Sequence, residues 1–327
     1  MKKIYGNEYL LSTLASMIKN GHTVQSVMFC GENGSGRKLF ADYYTQSLMC
    51  ENNIDGRPCG VCNSCLNVSK GFHPDVKYVE KSGKLGGISV ETARNVISDA
   101  FVKPNNHMGR KVYIFADCVN IDARTQNMLL KLIEEPPEYA YFIFTCYSCS
   151  DFLPTIVSRC VSFTVSACTE DEAADSLRES GFGEDEIKAA VGCFHGNIGM
   201  CTNYLTDENV HSQVNLTKSL ADSIIRKDEY SLNAQLFSLG SSRSDVKSVL
   251  SMLDMLIRDA AVIGKKHDAA AIGCYREGAI KLSQNITAGQ AARIHSHIER
   301  ANRAVDSNVT IPLAMAALSA EIITVCS

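Results

Sequence analysis

The 327-residue sequence lacks any apolar run of the roughly 18 residues that a membrane-spanning helix requires. Its basic beginning, MKKIYGNEYLLSTLASMIKNG, mixes charge into the apolar positions and has no small-residue cleavage site, so we predict no secretory signal. Internal repeats and low-complexity tracts are also absent. With 45% hydrophobic and 21% charged residues, the sequence excludes fibrous, disordered and membrane classes and predicts a globular, cytoplasmic protein of two or three domains.

The chain also lacks an excess of basic residues. It has 32 Lys and Arg against 36 Asp and Glu, a formal net charge of −4. A protein that holds DNA alone by neutralising phosphates is usually basic. We therefore expect any contact with nucleic acid to be local or shared with partner proteins.

Short apolar runs rich in β-branched and aromatic residues alternate with helical stretches in the first half of the chain. Such runs predict the strands of a mostly parallel, doubly wound sheet, and they lie at 26–30, 76–79, 112–115, 141–145 and 161–165. After about 166 the strand pattern stops. The sequence predicts an α/β domain over 1–165, a small helical lid over 166–208 and an all-helical domain over 209–327.

A glycine-rich loop follows the first predicted strand. Residues 31–38 read GENGSGRK, against the G-x-x-x-x-G-K-[ST] pattern that cradles nucleotide phosphates between a strand and a helix. Gly31, Gly34 and Gly36 fit that pattern. Arg37 stands where Lys reaches the β- and γ-phosphates, and Lys38 stands where a hydroxyl binds Mg²⁺. The alternative interpretation is a glycine-rich turn without function.

The end of the third predicted strand departs from the active pattern in the same direction. Active sites with a phosphate-cradling loop place two acids at the end of this strand, one for Mg²⁺ and one to orient the attacking water. Here Ala116 precedes Asp117, so one acid is missing. Together with the altered loop, this predicts that this chain does not hydrolyse ATP bound with Mg²⁺.

Four of the 14 cysteines predict a metal site. Cys50, Cys59, Cys62 and Cys65 have the spacing C-x8-C-x2-C-x2-C. Four thiolates give Zn²⁺ a closed tetrahedral shell, which is typical of a structural site. An iron–sulfur cluster is the alternative, because C-x2-C-x2-C also occurs in such sites. The other ten cysteines are scattered without metal-like clustering, although Cys146 and Cys149 form one CxxC pair.

These motifs occur in an order that resembles a known family. The loop at 31–38, the cysteine insert at 50–65, QNMLLKLIEEPP at 126–137 and SRC at 158–160 resemble the bacterial sliding-clamp loaders, which are AAA+ proteins. With its catalytic residues changed, the sequence is most similar to the delta-prime type of DNA polymerase III clamp-loader subunit. The resemblance is strong over about 1–210 and weaker beyond.

The resemblance implies a role within a complex. It implies an AAA+ domain, a helical lid and a collar that assembles with gamma/tau and delta subunits, and through that complex it implies contact with the sliding clamp and primer–template DNA. It also implies that Arg159 acts as an arginine finger at a neighbouring subunit's ATP, and that Thr145 occupies a polar sensor position. The lid stretch 196–199 has no arginine where active relatives sense nucleotide.

Alternative interpretations remain open for the arginine and for the whole chain. Arg159 could form a local surface ion pair, and Thr145 could be a strand-end hydroxyl with no role in catalysis. The chain could be a diverged gamma/tau-like ATPase that uses Arg37 in place of Lys. A zinc-dependent DNA-binding module is a third hypothesis, against which the acidic balance argues.

Overall fold

The computed structural model describes residues 3–82, 87–240, 242–266, 271–307 and 309–326. The chain divides into two units, Met1–Glu172 and Ala173–Ser327. The predicted change from α/β to all-helical structure is confirmed in outline, because the described strands all lie in the first unit. The further division into a lid at 166–208 and a collar at 209–327 stays a prediction.

A five-stranded, fully parallel sheet forms the centre of the first unit. Its strand order is β2-β3-β4-β1-β5, which brings the ends of β1 and β4 side by side. All five predicted strands are confirmed, with small changes at their ends: β1 Ser26–Cys30, β2 Val76–Tyr78, β3 Lys111–Phe115, β4 Ala140–Cys146 and β5 Val161–Thr164.

Helices cover both faces of this sheet. Alternate side chains of each central strand point to opposite faces, so Val27 and Phe29 of β1 enter one apolar core while Met28 and Cys30 enter the other. Phe115 of β3 stacks on Phe144 of β4 in the second core, with ring centroids 4.6 Å apart. The helices of this unit are α1 Glu8–Lys19, α2 Arg37–Met49, α3 Asn63–Lys70, α4 Val90–Ala100, α5 Ala123–Glu134 and α6 Pro154–Val157.

Helix α5 shows how local sequence sets its own ends. Asp122 caps its N-terminus by accepting a hydrogen bond from the Thr125 amide, and the helix stops before Pro136. Leu129 and Leu132 are buried in the sheet core, because residues three positions apart share one face of a helix. The helix end leaves Glu134 at the surface near the SRC segment.

Among the described residues of the second unit, the only regular secondary structure is helix. The 21-residue α12 packs against α10, α13 and α14 through buried Leu, Ile and Val side chains. No described helix in either unit is long and apolar enough to cross a membrane. The remaining helices are α7 Glu170–Glu179, which crosses the unit boundary, α8 Glu184–Phe194, α9 Ile198–Thr206, α10 Glu208–Arg226, α11 Glu229–Phe237, α12 Arg243–Ile263, α13 Arg276–Asn285, α14 Ala288–Asp306 and α15 Ile311–Cys326.

Candidate functional site

The glycine-rich loop joins β1 to α2 at the carboxyl edge of the sheet. Gly34 and Gly36 have φ of 79° and 97°, the left-handed region that glycine adopts without a steric cost. Gly31 has no room for a side chain, because a Cβ there would lie 2.4 Å from the Val165 carbonyl oxygen. The loop therefore has the backbone that a phosphate-cradling turn requires, and it leads into the uncapped N-terminus of α2.

The arginine in this loop is already engaged. Arg37 is 4% exposed, and its Nη2 lies 3.2 Å from Asp117 Oδ1 at the end of β3. Its guanidinium carbon lies 4.5 Å from the ring centroid of Tyr147, a cation–π distance. Asp117 after β3 and Tyr147 after β4 thus hold the Arg37 guanidinium, which stands where an active loop has its phosphate-binding lysine.

The next residue of the loop offers no ligand for a metal. Lys38 is exposed, and its ammonium lies 5.7 Å from the ring centroid of Tyr78. An ammonium donates hydrogen bonds and accepts none, so it cannot replace the hydroxyl that coordinates Mg²⁺ in an active loop.

Asp117 and Thr145 are linked across the ends of β3 and β4. The Asp117 amide donates to Thr145 Oγ1 at 2.6 Å, and Asp117 has a left-handed φ of 45°. Thr145 is fully buried, whereas the Asp117 side chain is 49% exposed. The threonine hydroxyl therefore fixes the strained turn that presents Asp117 to Arg37.

Arg159 lies at the surface just before β5. Its Nη2 lies 2.6 Å from Glu134 Oε1 at the end of α5, and its Nη1 donates to the Thr155 carbonyl oxygen at 2.8 Å. The two side chains of the pair are 38% and 34% exposed. An exposed pair of this kind contributes about 0–1 kcal/mol, so another anion can replace Glu134 at little cost.

Gln126 is a positioning residue to which the sequence pattern assigned no role. Its side-chain oxygen accepts from the Leu153 amide at 2.7 Å, and its side-chain nitrogen donates to the Ile121 carbonyl oxygen at 2.9 Å. Because Gln126 is buried in α5, these bonds tie the segment before α6 to the sheet domain. That segment leads through α6 to Arg159. The place of Gln126 in the 126–137 motif was the one available sequence signal of this positioning role.

The four predicted metal ligands lie together. The sulfur atoms of Cys50, Cys59, Cys62 and Cys65 are all within 4.8 Å of one another. Tetrahedral thiolates around a zinc ion, with Zn–S bonds of about 2.3 Å, have sulfur atoms about 3.8 Å apart. The cluster could therefore hold a metal ion of this size with small movements of the side chains.

Backbone amides point at these sulfur atoms. The amides of Cys59, Cys62 and Cys65 donate to the preceding cysteine's sulfur at 3.3, 3.4 and 3.4 Å. Amide donors from Val61 and Cys62 lower the pKa of Cys59 to about 6, which stabilises its thiolate. Burial raises the pKa of Cys50 and Cys65, so a bound cation would have to supply the charge that holds these two as thiolates.

The cysteine insert is fixed to the rest of the first unit. Gly56 approaches α1 so closely that a Cβ would lie 1.9 Å from the Ala15 carbonyl oxygen. Lys19 pairs with Asp55 at 2.8 Å, and Gln46 of α2 donates to the Cys65 carbonyl oxygen at 3.3 Å. The insert therefore braces the helix that begins at the glycine-rich loop.

Three of the other ten cysteines lie together, although they form no metal-like group among the described residues. Cys30 at the end of β1 contacts Cys149 at 2.8 Å and Cys146 at 3.4 Å, measured between sulfur atoms. The cause is topological: β1 and β4 are neighbours although more than a hundred residues separate them, so Cys30 pairs in register with Cys146. Only the CxxC spacing of Cys146 and Cys149 hinted at this cluster.

Comparison with known proteins connects this arrangement to DNA replication. The profile of a family described as "DNA polymerase III, delta subunit" matches residues 6–169, half of the chain. Among curated proteins, DNA polymerase III subunit tau/gamma of Haemophilus influenzae is 26% identical over 77% of this chain, and subunit tau of Escherichia coli is 25% identical over 79%. The chain spans about a third of the length of these relatives, 33% and 36% respectively.

A solved structure shows the same fold. The DNA polymerase III gamma subunit-related protein of Thermotoga maritima aligns over 97% of this chain and 99% of its own length, with a TM-score of 0.50 and 16% sequence identity. This likeness, with the parallel sheet and the helical second unit, bears out the predicted α/β P-loop architecture followed by helical structure.

Proposed function

Because this chain belongs to the DNA polymerase III delta-subunit family, we propose that it is a non-hydrolysing, delta-prime-like subunit of a clamp loader. In this role it supports ATP-dependent loading of a sliding clamp onto primed DNA. It would do so beside gamma/tau and delta subunits rather than by turning over ATP itself.

One observation carries the non-hydrolysing part of the proposal: the pairing of the buried Arg37 with Asp117. In an active site the loop lysine binds phosphate, and the acid after the third strand binds Mg²⁺. Here the two corresponding side chains neutralise each other. Lys38 adds no oxygen ligand, so the residues of this edge bind neither Mg²⁺ nor a γ-phosphate in the usual way.

Arg159 supplies the contribution to catalysis in this proposal. A guanidinium donated in trans stabilises the charge that develops on a neighbour's γ-phosphate. The arginine lies half exposed at the end of a rigid segment, held there by Glu134 and Thr155. The ion pair holds the guanidinium until an interface offers it a more highly charged partner.

We also assign the four-cysteine cluster to a structural Zn²⁺. The donor set of four sulfurs, their mutual distances and the amide donors all suit this ion. Bound metal would fold the 50–65 insert against α1 and α2, and all four ligand positions would be filled by protein. The insert then stabilises the loop-bearing helix and takes no part in chemistry.

Metal analysis of the purified chain tests this assignment. We expect one zinc per chain at neutral pH. Because the ligands bind as thiolates and protons compete with the metal for them, zinc should be released on acidification. Iron with a visible charge-transfer absorption would instead support the iron–sulfur alternative.

Binding and hydrolysis of Mg·ATP by the isolated chain test the main proposal. We expect no turnover and no saturable Mg²⁺-dependent binding, and Arg37→Ala should not change this result. Turnover that Arg37→Ala removes would refute the proposal.

A second candidate function is a diverged gamma/tau-like ATPase that binds ATP itself. The observation in its favour is that the curated relatives above are tau and gamma subunits. It predicts saturable Mg·ATP binding by the chain alone, with Arg37 leaving Asp117 to contact the phosphates. The same binding experiment therefore separates the two candidates.

A further inference from the structure

The sulfur atoms of Cys30 and Cys149 lie unusually close together. They are 2.8 Å apart, about 0.8 Å more than the length of a disulfide bond. The two residues are separated by 119 positions in the chain, and neither takes part in the site proposed above. The Cys146 sulfur lies 3.4 Å from the same Cys30 sulfur and is its second sulfur contact.

This cluster differs from the four-cysteine site at 50–65. Among the described residues, only Cys50, Cys59, Cys62 and Cys65 have ligand atoms that are all within 4.8 Å of one another. Cys30 instead has one very near sulfur and one more distant sulfur, which suits a pairwise bond better than a shared metal ion.

The two thiols differ in access. Cys30 is 7% exposed at the end of β1, whereas Cys149 is half-buried in the short 3-10 turn Cys149–Asp151 that follows β4. Cys149 is therefore the more accessible of the two thiols to a small oxidant, and the Cys30 sulfur lies in contact with its sulfur. This is the arrangement of an attacking thiol with a resolving thiol.

We propose that Cys30 and Cys149 form a redox-responsive pair that a peroxide converts to a disulfide. The Cys149 sulfur attacks one peroxide oxygen, the O–O bond breaks, and the products are a sulfenic acid and water. The Cys30 sulfur then attacks the Cys149 sulfur, the S–O bond breaks, and a second water leaves. Hydrogen peroxide is thus reduced to two waters while two thiols are oxidised to one disulfide.

The bond would join the glycine-rich loop to the turn after β4. Cys30 immediately precedes Gly31, and Cys149 lies two residues after Tyr147, whose ring contacts Arg37. Oxidation would covalently fix both sides of the loop around the arginine. The proposal does not depend on the proposed function, because it concerns only these thiols and the turn they share.

The environment of the thiols makes the reaction slow. The hydrogen bond with Cys146 and burial raise the pKa of Cys30, and burial and the contact with Cys30 raise that of Cys149. The thiolate is the nucleophile, so the pair stays reduced under ordinary conditions and responds to sustained peroxide. This distinguishes it from a permanent structural disulfide.

Mass spectrometry of the full chain after exposure to hydrogen peroxide tests the proposal. Remaining thiols are alkylated, the protein is digested without reduction, and metal content is measured before and after treatment. We expect a linked peptide that joins Cys30 to Cys149, the loss of two alkylated thiols per chain, and full reversal by dithiothreitol.

Three variants make the result specific. Cys149→Ser and Cys30→Ala should each abolish the linked peptide. If Cys30→Ala fails to fold, Cys149→Ser still tests the proposal, because it changes a half-buried position that the fold tolerates. Cys160→Ser, at a cysteine packed against the same core, should leave the link intact. A link to Cys146 or Cys160 instead, thiols that stay free, or a second zinc bound by these residues would each overturn the proposal.

Discussion

Two arginines of the first unit have the same kind of partner and opposite surroundings. Arg37 and Arg159 each pair with one carboxylate, at 3.2 Å and 2.6 Å. Arg37 is 4% exposed, whereas the side chain of Arg159 is 38% exposed. We expect the shorter ion pair to be the weaker one, because both of its charged groups are partly solvated, whereas the Arg37 guanidinium is buried.

In our proposal, this difference lets one chain close its own nucleotide loop and still serve a neighbour's. A buried guanidinium must keep its partner, since losing it leaves an uncompensated charge in a dry environment. An exposed guanidinium can exchange a carboxylate for a phosphate at little cost. Burial, rather than residue type or ion-pair distance, separates the two roles that we propose.

The largest expected effect follows from removing the exposed arginine. In a complex reconstituted with cognate gamma/tau and delta subunits, Arg159→Ala should reduce hydrolysis at the neighbouring ATP site by roughly 10³-fold, the scale of other arginine fingers. Single-turnover hydrolysis in the presence of clamp and primed DNA measures it, with assembly checked by gel filtration. Arg178→Ala, at another exposed and paired arginine, is the matched control and should change little. Unchanged hydrolysis in Arg159→Ala would leave this arginine in a structural ion pair.

Restoring the loop should sharpen the contrast from the other side. The double variant Arg37→Lys with Lys38→Thr returns a phosphate-binding ammonium and a Mg²⁺-binding hydroxyl, so we expect Mg·ATP affinity to rise about tenfold or more over wild type. Equilibrium binding of a fluorescent ATP analogue measures the change, and Arg37→Ala is the control without the new ligands. Tight binding by the wild-type chain would show that the Arg37–Asp117 pair does not close the loop.

Neutralising the partner of the buried arginine should cost about 1–3 kcal/mol of unfolding free energy. Asp117→Asn keeps the size of the side chain but removes the charge opposite Arg37, and water can compensate only from the exposed side of Asp117. Two measurements report this loss of unfolding free energy: urea unfolding, and hydrogen exchange of the β1 and β3 amides in the folded protein. If Asp117→Asn were as stable as wild type, the burial of Arg37 would not strengthen its ion pair with Asp117.

The equivalent change at the exposed pair should have the smallest effect. Glu134→Gln removes the charge opposite Arg159 in the same way, and we expect a loss below about 1 kcal/mol because both side chains are partly solvated. Measured by the same method, this variant is the direct counterpart of Asp117→Asn. Equal losses for the two variants would remove the distinction between the pairs.

Much of the fold was predictable because its signals are local. The five strands of the sheet, the N-cap of α5 at Asp122 and the burial of Leu129 and Leu132 follow from short-range pattern and capping chemistry. The mutual approach of Cys50, Cys59, Cys62 and Cys65 was also predictable, because all four lie within sixteen residues of chain. Their spacing alone brings them to one place.

The sequence by itself determined which chemical groups this protein lacks: a loop lysine, a Mg²⁺-binding hydroxyl and a second acid after β3. Only the tertiary structure decided what the remaining groups do, because their partners are distant in the chain. Arg37 meets Asp117 and Tyr147, and Cys30 meets Cys149, where parallel strands end at a common edge. Arg159 meets Glu134 on the segments that precede β5 and β4. Strand order and burial, which no local pattern encodes, fix these pairings and the strength of each.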